Sequence, residues 1–180
     1  MAATIALAPI APRHAEAVQR LASHPDVVAT TTLPEPYPDD GAAQWIAYVQ
    51  PRHDAGTEYA FAILNESGTL VGVSGLVDVT ETTAELGFWI GVPFWNQGYA
   101  TEAVRETVRL AFQNLDLQHL FARPLQRNAP SRRVLEKTGF AAQQVERHEH
   151  PKWGGDDPVV RYTLDREAWS GARKDAQTDA

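Results

Sequence analysis

Residues 85–104 read ELGFWIGVPFWNQGYATEAV, and this stretch decides the fold. It begins inside an alternating apolar run, Thr83 to Ile90, which predicts a β-strand. From Ala100 to Leu115, apolar residues recur at helical spacing with charged residues between them, which predicts an amphipathic helix. The connecting loop carries Gly98 and the small Ala100, so its backbone can approach a ligand closely.

The loop before this helix has the features of an anion-binding site. The first amides of a helix have no partners within the helix, and the helix dipole favours negative charge beside them. A pyrophosphate group suits such a site. The sequence contains neither the Gly-Lys-Ser/Thr of a Walker loop nor the G-x-G-x-x-G of a Rossmann fold. Taken alone, the pattern does not exclude a plain strand-to-helix turn.

The rest of the chain predicts a mixed α/β (α+β) fold with a mainly antiparallel sheet. Helices are predicted from Pro12, from Asp39 or Asp40 to about Gln50, and over Pro130–Thr138 with a stop at Gly139, and residues 51–56 are predicted to turn. The strand-like runs are residues 4–10, 58–64, 69–79, 83–90, 120–122, 141–150 and 159–164, with a turn at residues 153–156 before the last. We expect one domain over residues 1–170 and a disordered polar tail over 171–180.

Composition narrows the function classes. The chain has 16 basic and 23 acidic residues, a net charge of −7, which argues against nucleic acid and is compatible with a cationic partner or with solubility alone. It has no cysteine, so disulfides and thiolate nucleophiles are excluded, and a reducing cytoplasm is expected. No apolar run approaches the ~18 residues that span a bilayer, and no metal site is expected, because the six histidines lack ligand spacing on a helix face.

Two motifs carry a family resemblance. The stretch at residues 85–104, followed by RNAPSRRVLEKTGF at residues 127–140, resembles the GNAT superfamily of N-acetyltransferases, and most closely its RimJ/RimL-type branch. The resemblance implies a GNAT-like sheet of about seven strands flanked by helices, and transfer of an acetyl group from acetyl-coenzyme A. The superfamily loop usually begins with Gln or Arg, whereas Trp95 stands here, as is frequent in the RimJ/RimL branch.

The resemblance also implies which residues bind acetyl-coenzyme A. The loop would hold its pyrophosphate, the strand backbone and Asn128 its pantetheine arm, and basic residues its 3′-phosphate. The expected residues are Phe88, Trp89, Ile90, Trp95, Asn96, Gln97, Gly98, Tyr99, Ala100, Thr101, Asn128, Ser131, Arg133 and Lys137. Arg132 belongs to the same basic group, for which a solvated helix face is the alternative interpretation.

Two residues are candidates for the chemistry. Glu85 lies on the face of its strand opposite Leu86 and Phe88, where it is placed to accept the amine's proton directly or through water; the alternative is a solvent-facing edge residue. Ser131 stands at a helix start, and the resemblance implies that it serves the leaving thiol, whereas the alternative is a helix cap. Tyr162 lies too late in the chain to match the acid of other branches and is interpreted as pocket or core.

The residues that bind the acetyl acceptor are predicted from weaker signals than those that bind the donor. Tyr37, Trp45, Glu85 and Trp153 are expected to line a pocket for an amine, either a protein N-terminus or a small molecule. Aromatic residues of this kind are also common in cores. A homodimer is expected by analogy only, and a non-catalytic coenzyme A-binding sensor or scaffold is the alternative function.

Overall fold

Seven strands form one sheet in the order β1-β2-β3-β4-β5-β7-β6. The computed structural model describes residues 3–147, 150–153 and 157–170. The predicted turn at residues 154–156, part of the predicted strand at 148–149 and the predicted tail at 171–180 lie outside them. The strands are β1 Ile5–Pro9, β2 Tyr59–Asn65, β3 Leu70–Val77, β4 Thr83–Ile90, β5 His119–Ala122, β6 Ala141–Glu146 and β7 Val159–Asp165. The predicted fold class is therefore confirmed.

Five named α-helices flank the sheet, and residues 166–170 are a further short helical segment of the described chain. The five are α1 Ala15–Ala22, α2 Pro25–Val28, α3 Gly41–Asp54, α4 Tyr99–Gln113 and α5 Ala129–Lys137, and short 3-10 turns cover Pro12–His14, Val92–Phe94 and Pro151–Trp153. Within the described ranges, every helix is too short or too polar to cross a bilayer.

The two faces of the sheet bury different helices because side chains alternate along each strand. On one face, Val104 and Phe112 of α4 and Leu135 of α5 pack against Leu86 of β4 and Leu120 of β5. On the other, the core joins α1 and α3 to the β2 and β3 residues Ala60, Ala62 and Val73, with Trp89 packed beside them. The face that carries Trp89 therefore also carries Gly87 and Glu85.

The end of α3 differs from the prediction by more than the one or two residues seen at the ends of α4 and α5. The expected turn at residues 51–56 is wrong for residues 51–54, because α3 continues through Pro51 to Asp54. Pro51 removes one amide from the helix, but its own carbonyl still accepts from the amide of Ala55 at 3.0 Å. Asp40 is the residue that precedes the first turn, and its carboxylate binds the Gln44 side chain at 2.7 Å instead of a helix amide.

Candidate active site

The site is built around an opening between β4 and β5. These strands are parallel and are paired over three residues, from Thr83 opposite His119 to Glu85 opposite Phe121. β4 continues to Ile90 along β3, whereas β5 ends at Ala122 and pairs with β7. The two strands therefore part after Glu85.

The edge of β4 that faces this opening has backbone groups that pair with no strand, and of these the Ile90 carbonyl accepts from the Trp95 indole. The amide of Gly91 donates to the Val71 carbonyl at 2.9 Å, so alternate residues of β4 direct their backbone toward β3. By the same alternation, Phe88 and Ile90 direct their backbone toward the opening. An extended arm with amide groups can bind there as an added strand does.

The predicted anion loop follows β4. Asn96 and Gly98 have φ angles of 60° and 86°, in the left-handed region, and Gly98 is the N-cap of α4. The first bond of the helix runs from the Glu102 amide to the Gly98 carbonyl at 3.2 Å. In the described part of the chain, the amides of residues 99–101 consequently have no acceptor, and all three residues line the same cavity. Free amides at a helix start suit a pyrophosphate.

Trp95 fixes the loop to the end of β4. Its indole Nε1 donates to the Ile90 carbonyl at 2.7 Å, while 42% of the residue stays exposed. The Gln97 side chain instead donates to the Pro93 carbonyl at 3.1 Å and does not line the main cavity. A Gln97 side-chain contact with the donor is therefore not supported by this geometry.

The second motif, residues 127–140, contains the start of α5 and lies on the other side of the opening from β4. Asn128, not Ser131, is the helix cap: its Oδ1 accepts from the Ser131 amide at 3.2 Å. The capping alternative for Ser131 is thus removed. Among the described residues, the Ser131 hydroxyl has no hydrogen-bond partner, and Ser131 lines the cavity. An unengaged hydroxyl beside a helix N-terminus is available to a leaving group.

These elements enclose one continuous cavity of about 1190 Å³. It extends from the anion loop, past the edge of β4, to the face covered by α1 and α3. The predicted residues that line it are Tyr37, Trp45, Glu85, Phe88, Trp89, Ile90, Trp95, Asn96, Gly98, Tyr99, Ala100, Thr101, Asn128, Ser131, Arg133, Lys137 and Trp153. Motifs far apart in the sequence therefore meet at one site.

Glu85 has a partner that sequence reasoning missed. Arg123 donates from Nε to Oε1 at 3.0 Å and from Nη2 to Oε2 at 2.7 Å. The Glu85 side chain is 16% exposed, and both carboxylate oxygens are engaged. The hydrogen bond to Glu85 raises the pKa of Arg123, so the guanidinium remains charged. Taking up a proton at Glu85 would weaken this pair.

The basic residues of α5 divide into two groups. Arg133 and Lys137 line the cavity, as expected of residues that meet a 3′-phosphate. Arg132 instead donates to the Tyr162 hydroxyl at 3.2 Å and the Gln126 carbonyl at 3.1 Å. The fully buried Tyr162 donates in turn to Glu136 at 2.7 Å, and burial raises its pKa. Tyr162 is therefore core, and Arg132 holds α5 in place.

A segment we call the cover loop, residues 29–33, lines the cavity on the acceptor side together with Tyr37, Trp45 and Trp153. Two cations from the C-terminal half hold it. The ammonium of Lys152, 11% exposed, donates to the carbonyls of Val28, Thr31 and Leu33 at 2.5, 3.3 and 2.8 Å. Arg127 donates to the Ala29 carbonyl at 2.8 Å.

Tyr37, on the same side of the cavity, is partly buried, and this burial raises the pKa of its hydroxyl.

Three cavity or cover residues escaped sequence reasoning: Glu58, Arg123 and Lys152. Glu58 directly precedes β2 and Arg123 directly follows β5. No local sequence pattern indicated Arg123, because its partner Glu85 lies 38 residues away in the chain. Nowhere in the described ranges do three or more His, Cys, Asp or Glu side chains converge as metal ligands.

Comparison with known families identifies the class of protein. A family model described as "Acetyltransferase (GNAT) domain" matches residues 4–141. The chain belongs to this family. It is an N-acetyltransferase, and acetyl-coenzyme A is its acetyl donor, in agreement with the free amides, the strand edge and the α5 start around the opening.

Two curated relatives are similar in sequence. The FsC-acetyl coenzyme A-N(2)-transacetylase of Aspergillus fumigatus is 30% identical over 191 residues, covering 98% of this chain and 80% of that protein. A putative ribosomal N-acetyltransferase of Bacillus subtilis, YdaF, is 31% identical over 108 residues, covering 59% of each protein. The second match thus spans less than two thirds of its relative's length.

Solved structures show the same fold. A spermidine N-acetyltransferase from Vibrio cholerae, in complex with CoA and spermine, superposes with a TM-score of 0.80 at 16% identity. The superposition covers 92% of this chain and 97% of that one. At this identity the likeness establishes the architecture alone.

Proposed function

We propose that this enzyme transfers the acetyl group of acetyl-coenzyme A to the primary amine of a small molecule in one direct step. The observation that carries the proposal is the continuous cavity, which joins the free amides at the start of α4 to an aromatic-walled acceptor chamber. Walls formed by Tyr37, Trp45 and the cover loop suit a small amine better than a protein N-terminus. A relative named as an N(2)-transacetylase and a structural neighbour that holds spermine lend this choice further support.

In the proposed reaction, Ser131 serves the departing sulfur. The acceptor nitrogen forms a bond to the acetyl carbon as the carbon–sulfur bond breaks, and the electron pair leaves with sulfur. The Ser131 hydroxyl hydrogen-bonds the thiolate and relays a nitrogen-bound proton to it. The backbone amides of Phe88 and Ile90 are the proposed donors to the carbonyl oxygen. No acyl-cysteine is involved, because the sequence has no cysteine.

The role of Glu85 as base stays a prediction. Its position on the acceptor face of β4 supports it, whereas the pairing of both oxygens with Arg123 favours a positioning role at the point where β4 and β5 part. The remaining donor contacts are proposed as predicted: residues 95–101 for the pyrophosphate, with the free amides of residues 99–101 as donors, Asn128 for the pantetheine arm, and Arg133 and Lys137 for the 3′-phosphate.

The RimJ/RimL-type branch is proposed from Trp95 at the first loop position and from the likeness to YdaF. We also propose one domain over residues 1–170 and a cytoplasmic location, supported by the absence of cysteine. A homodimer is proposed by analogy, and light scattering would measure it.

Thiol release with a panel of amines tests the proposed function. We expect turnover with small primary amines and little or none with peptides that offer only an N-terminus. Preference for the peptides would overturn the small-molecule assignment. Tight coenzyme A binding without turnover on any amine would favour the alternative of a binding module, to which the comparisons give no support.

A further inference from the structure

Glu58 is a second carboxylate of the acceptor chamber, and it is held less tightly than Glu85, since its one ion pair in the described residues is long and contains no hydrogen bond. Its side chain is 16% exposed and lines the cavity. Among the described residues, neither of its oxygens accepts a hydrogen bond, and the nearest cation is Arg52, with Nε at 4.0 Å from Oε2. Both oxygens of this largely buried carboxylate can therefore still accept a hydrogen bond from a ligand, because the ion pair with Arg52 supplies none.

The main contacts of the Arg52 guanidinium are with Tyr48, on its own helix. Its Nη1 donates to the Tyr48 carbonyl at 2.9 Å, and its guanidinium lies 3.5 Å from the centre of the Tyr48 ring. Both contacts are within α3, and they leave the guanidinium only a long ion pair with Glu58, at 4.0 Å. The other charged group that acts on Glu58 is Asp78, whose negative charge opposes ionisation. Burial, the largest effect, raises the pKa of Glu58 above its ordinary value, whereas Arg52 lowers it.

The floor of the chamber beside Glu58 is formed by small residues. Gly75 of β3 is paired with both Ala60 of β2 and Gly87 of β4, so three small residues form one row across the sheet. A Cβ at Gly87 would meet no atom within 4 Å, and all three residues line the cavity. An amine can therefore lie directly on the sheet between the opening at β4 and the carboxylate of Glu58.

We propose that Glu58 binds the ammonium group of the acceptor and takes its proton, directly or through one water, whereas Glu85 with Arg123 positions the end of β5. This assignment rests on the proposed function. An alkyl ammonium, with an ordinary pKa around 10, has no lone pair for attack. Glu58 accepts one of its protons and becomes neutral, and the nitrogen then attacks the acetyl carbon. The second proton lost from nitrogen reaches sulfur through Ser131, and Glu58 returns its proton to water.

Steady-state kinetics of matched variants test the assignment. Glu58→Gln removes the base, Glu85→Gln neutralises the paired carboxylate, and Glu81→Gln makes the same change at an exposed position outside the cavity. For the best amine of the panel, Glu58→Gln should lower kcat/KM at least about 100-fold at neutral pH, the range typical of a lost general base. It should also remove the acidic limb of the pH profile, and Glu58→Asp should recover part of the rate.

Coenzyme A affinity and melting temperature decide whether each variant is folded. In Glu58→Gln we expect coenzyme A affinity to be retained and the melting temperature not to fall, since its carboxylate has no hydrogen bond to lose. Unchanged kcat/KM and an intact acidic limb in folded Glu58→Gln, with both lost in Glu85→Gln, would overturn the assignment and leave the proposed function standing. A wild-type protein that binds coenzyme A but turns over no amine would overturn both.

Discussion

Arg123 and Glu85 are joined by two parallel hydrogen bonds of 3.0 and 2.7 Å at the point where β4 and β5 separate. Glu85 is the last β4 residue paired with β5, and Arg123 directly follows the last residue of β5. The pair thus joins the two strands by side chains just beyond their last backbone pairing, at the point where they diverge.

Breaking this pair should destabilise the fold. In Arg123→Met, the largely buried Glu85 carboxylate loses both donors, and we expect the free energy of unfolding to fall by about 1–3 kcal/mol. Urea denaturation measures the loss. The double variant with Glu85→Gln should cost less than the sum of the two single changes, because the two residues are coupled. Strictly additive losses would mean that the pair contributes nothing.

The left-handed backbone of Gly98 offers a test of the anion loop. Gly98 has φ 86°, and a Cβ there would meet nothing closer than 3.7 Å, so Gly98→Ala adds backbone strain of about 1 kcal/mol without a clash. The matched control is Gly139→Ala, with φ 94° and the same nearest distance of 3.7 Å, at the end of α5. Both should lose similar stability, but only Gly98→Ala should lose coenzyme A affinity in calorimetry. Equal coenzyme A affinities in the two variants would contradict the assignment of this loop to the coenzyme.

Ser131→Ala should lower kcat about 100-fold while coenzyme A affinity stays near that of the wild type, because the hydroxyl is needed as sulfur leaves. Ser23→Ala, at an exposed serine after α1, is the control. Rapid-quench and steady-state thiol release give kcat, and calorimetry gives affinity. An unchanged kcat would remove Ser131 from the mechanism.

The raised pKa of Glu58 has a consequence for stability. A carboxyl group with a folded-state pKa above its unfolded value contributes stability below the unfolded value, and this is lost as pH rises through the folded value. Glu58→Gln should therefore melt at the wild-type temperature near pH 4 and at a higher temperature near pH 8. Glu81→Gln should show no such divergence. A Glu58→Gln protein that melts lower at pH 8 would contradict a destabilising burial of the charge.

Lys152 should control access to the acceptor chamber. Lys152→Met keeps the apolar stem and removes the ammonium that binds three carbonyls of residues 28–33. We expect faster proteolytic cleavage in the cover loop and a higher KM for the amine, with coenzyme A affinity preserved. The control is Arg105→Met, on the exposed face of α4 and outside the cavity. Lys137 would not serve, because it lines the donor end of the cavity. Cleavage at the wild-type rate would show that other contacts hold the loop.

Local patterns predicted the backbone elements around the opening. The alternation over Thr83–Ile90 predicted β4 with its observed bounds, and Gly139, predicted to stop its helix, follows the C-cap of α5 with a φ of 94°. Each of these features depends on residues close together in the chain. The Arg123–Glu85 pair joins residues 38 positions apart, and the Lys152 contacts span more than 100. No short-range pattern encodes which cation meets which acceptor, so these contacts became visible only in the structure.

The continuation of α3 past Pro51 shows a different limit. Proline is a sound signal for a helix end when the lost amide bond is not compensated. Here Ile46 and Val49 are buried on the same helix, and their packing against Ala60 and Ala62 of the sheet outweighs one missing bond. Tertiary burial overrode the local signal, and no window of a few residues around Pro51 contains that information.

The parting of β4 from β5 leaves a gap in the sheet that the donor itself is shaped to fill. If the pantetheine arm hydrogen-bonds to the exposed edge of β4, acetyl-coenzyme A stabilises the sheet while it is bound, in addition to reacting. Ligand that binds only the folded chain adds about 2.7 kcal/mol of stability at a concentration 100 times its dissociation constant. The lifetime of this enzyme in a cell would then rise and fall with the supply of acetyl-coenzyme A, which couples protein turnover to metabolic state without any separate regulator.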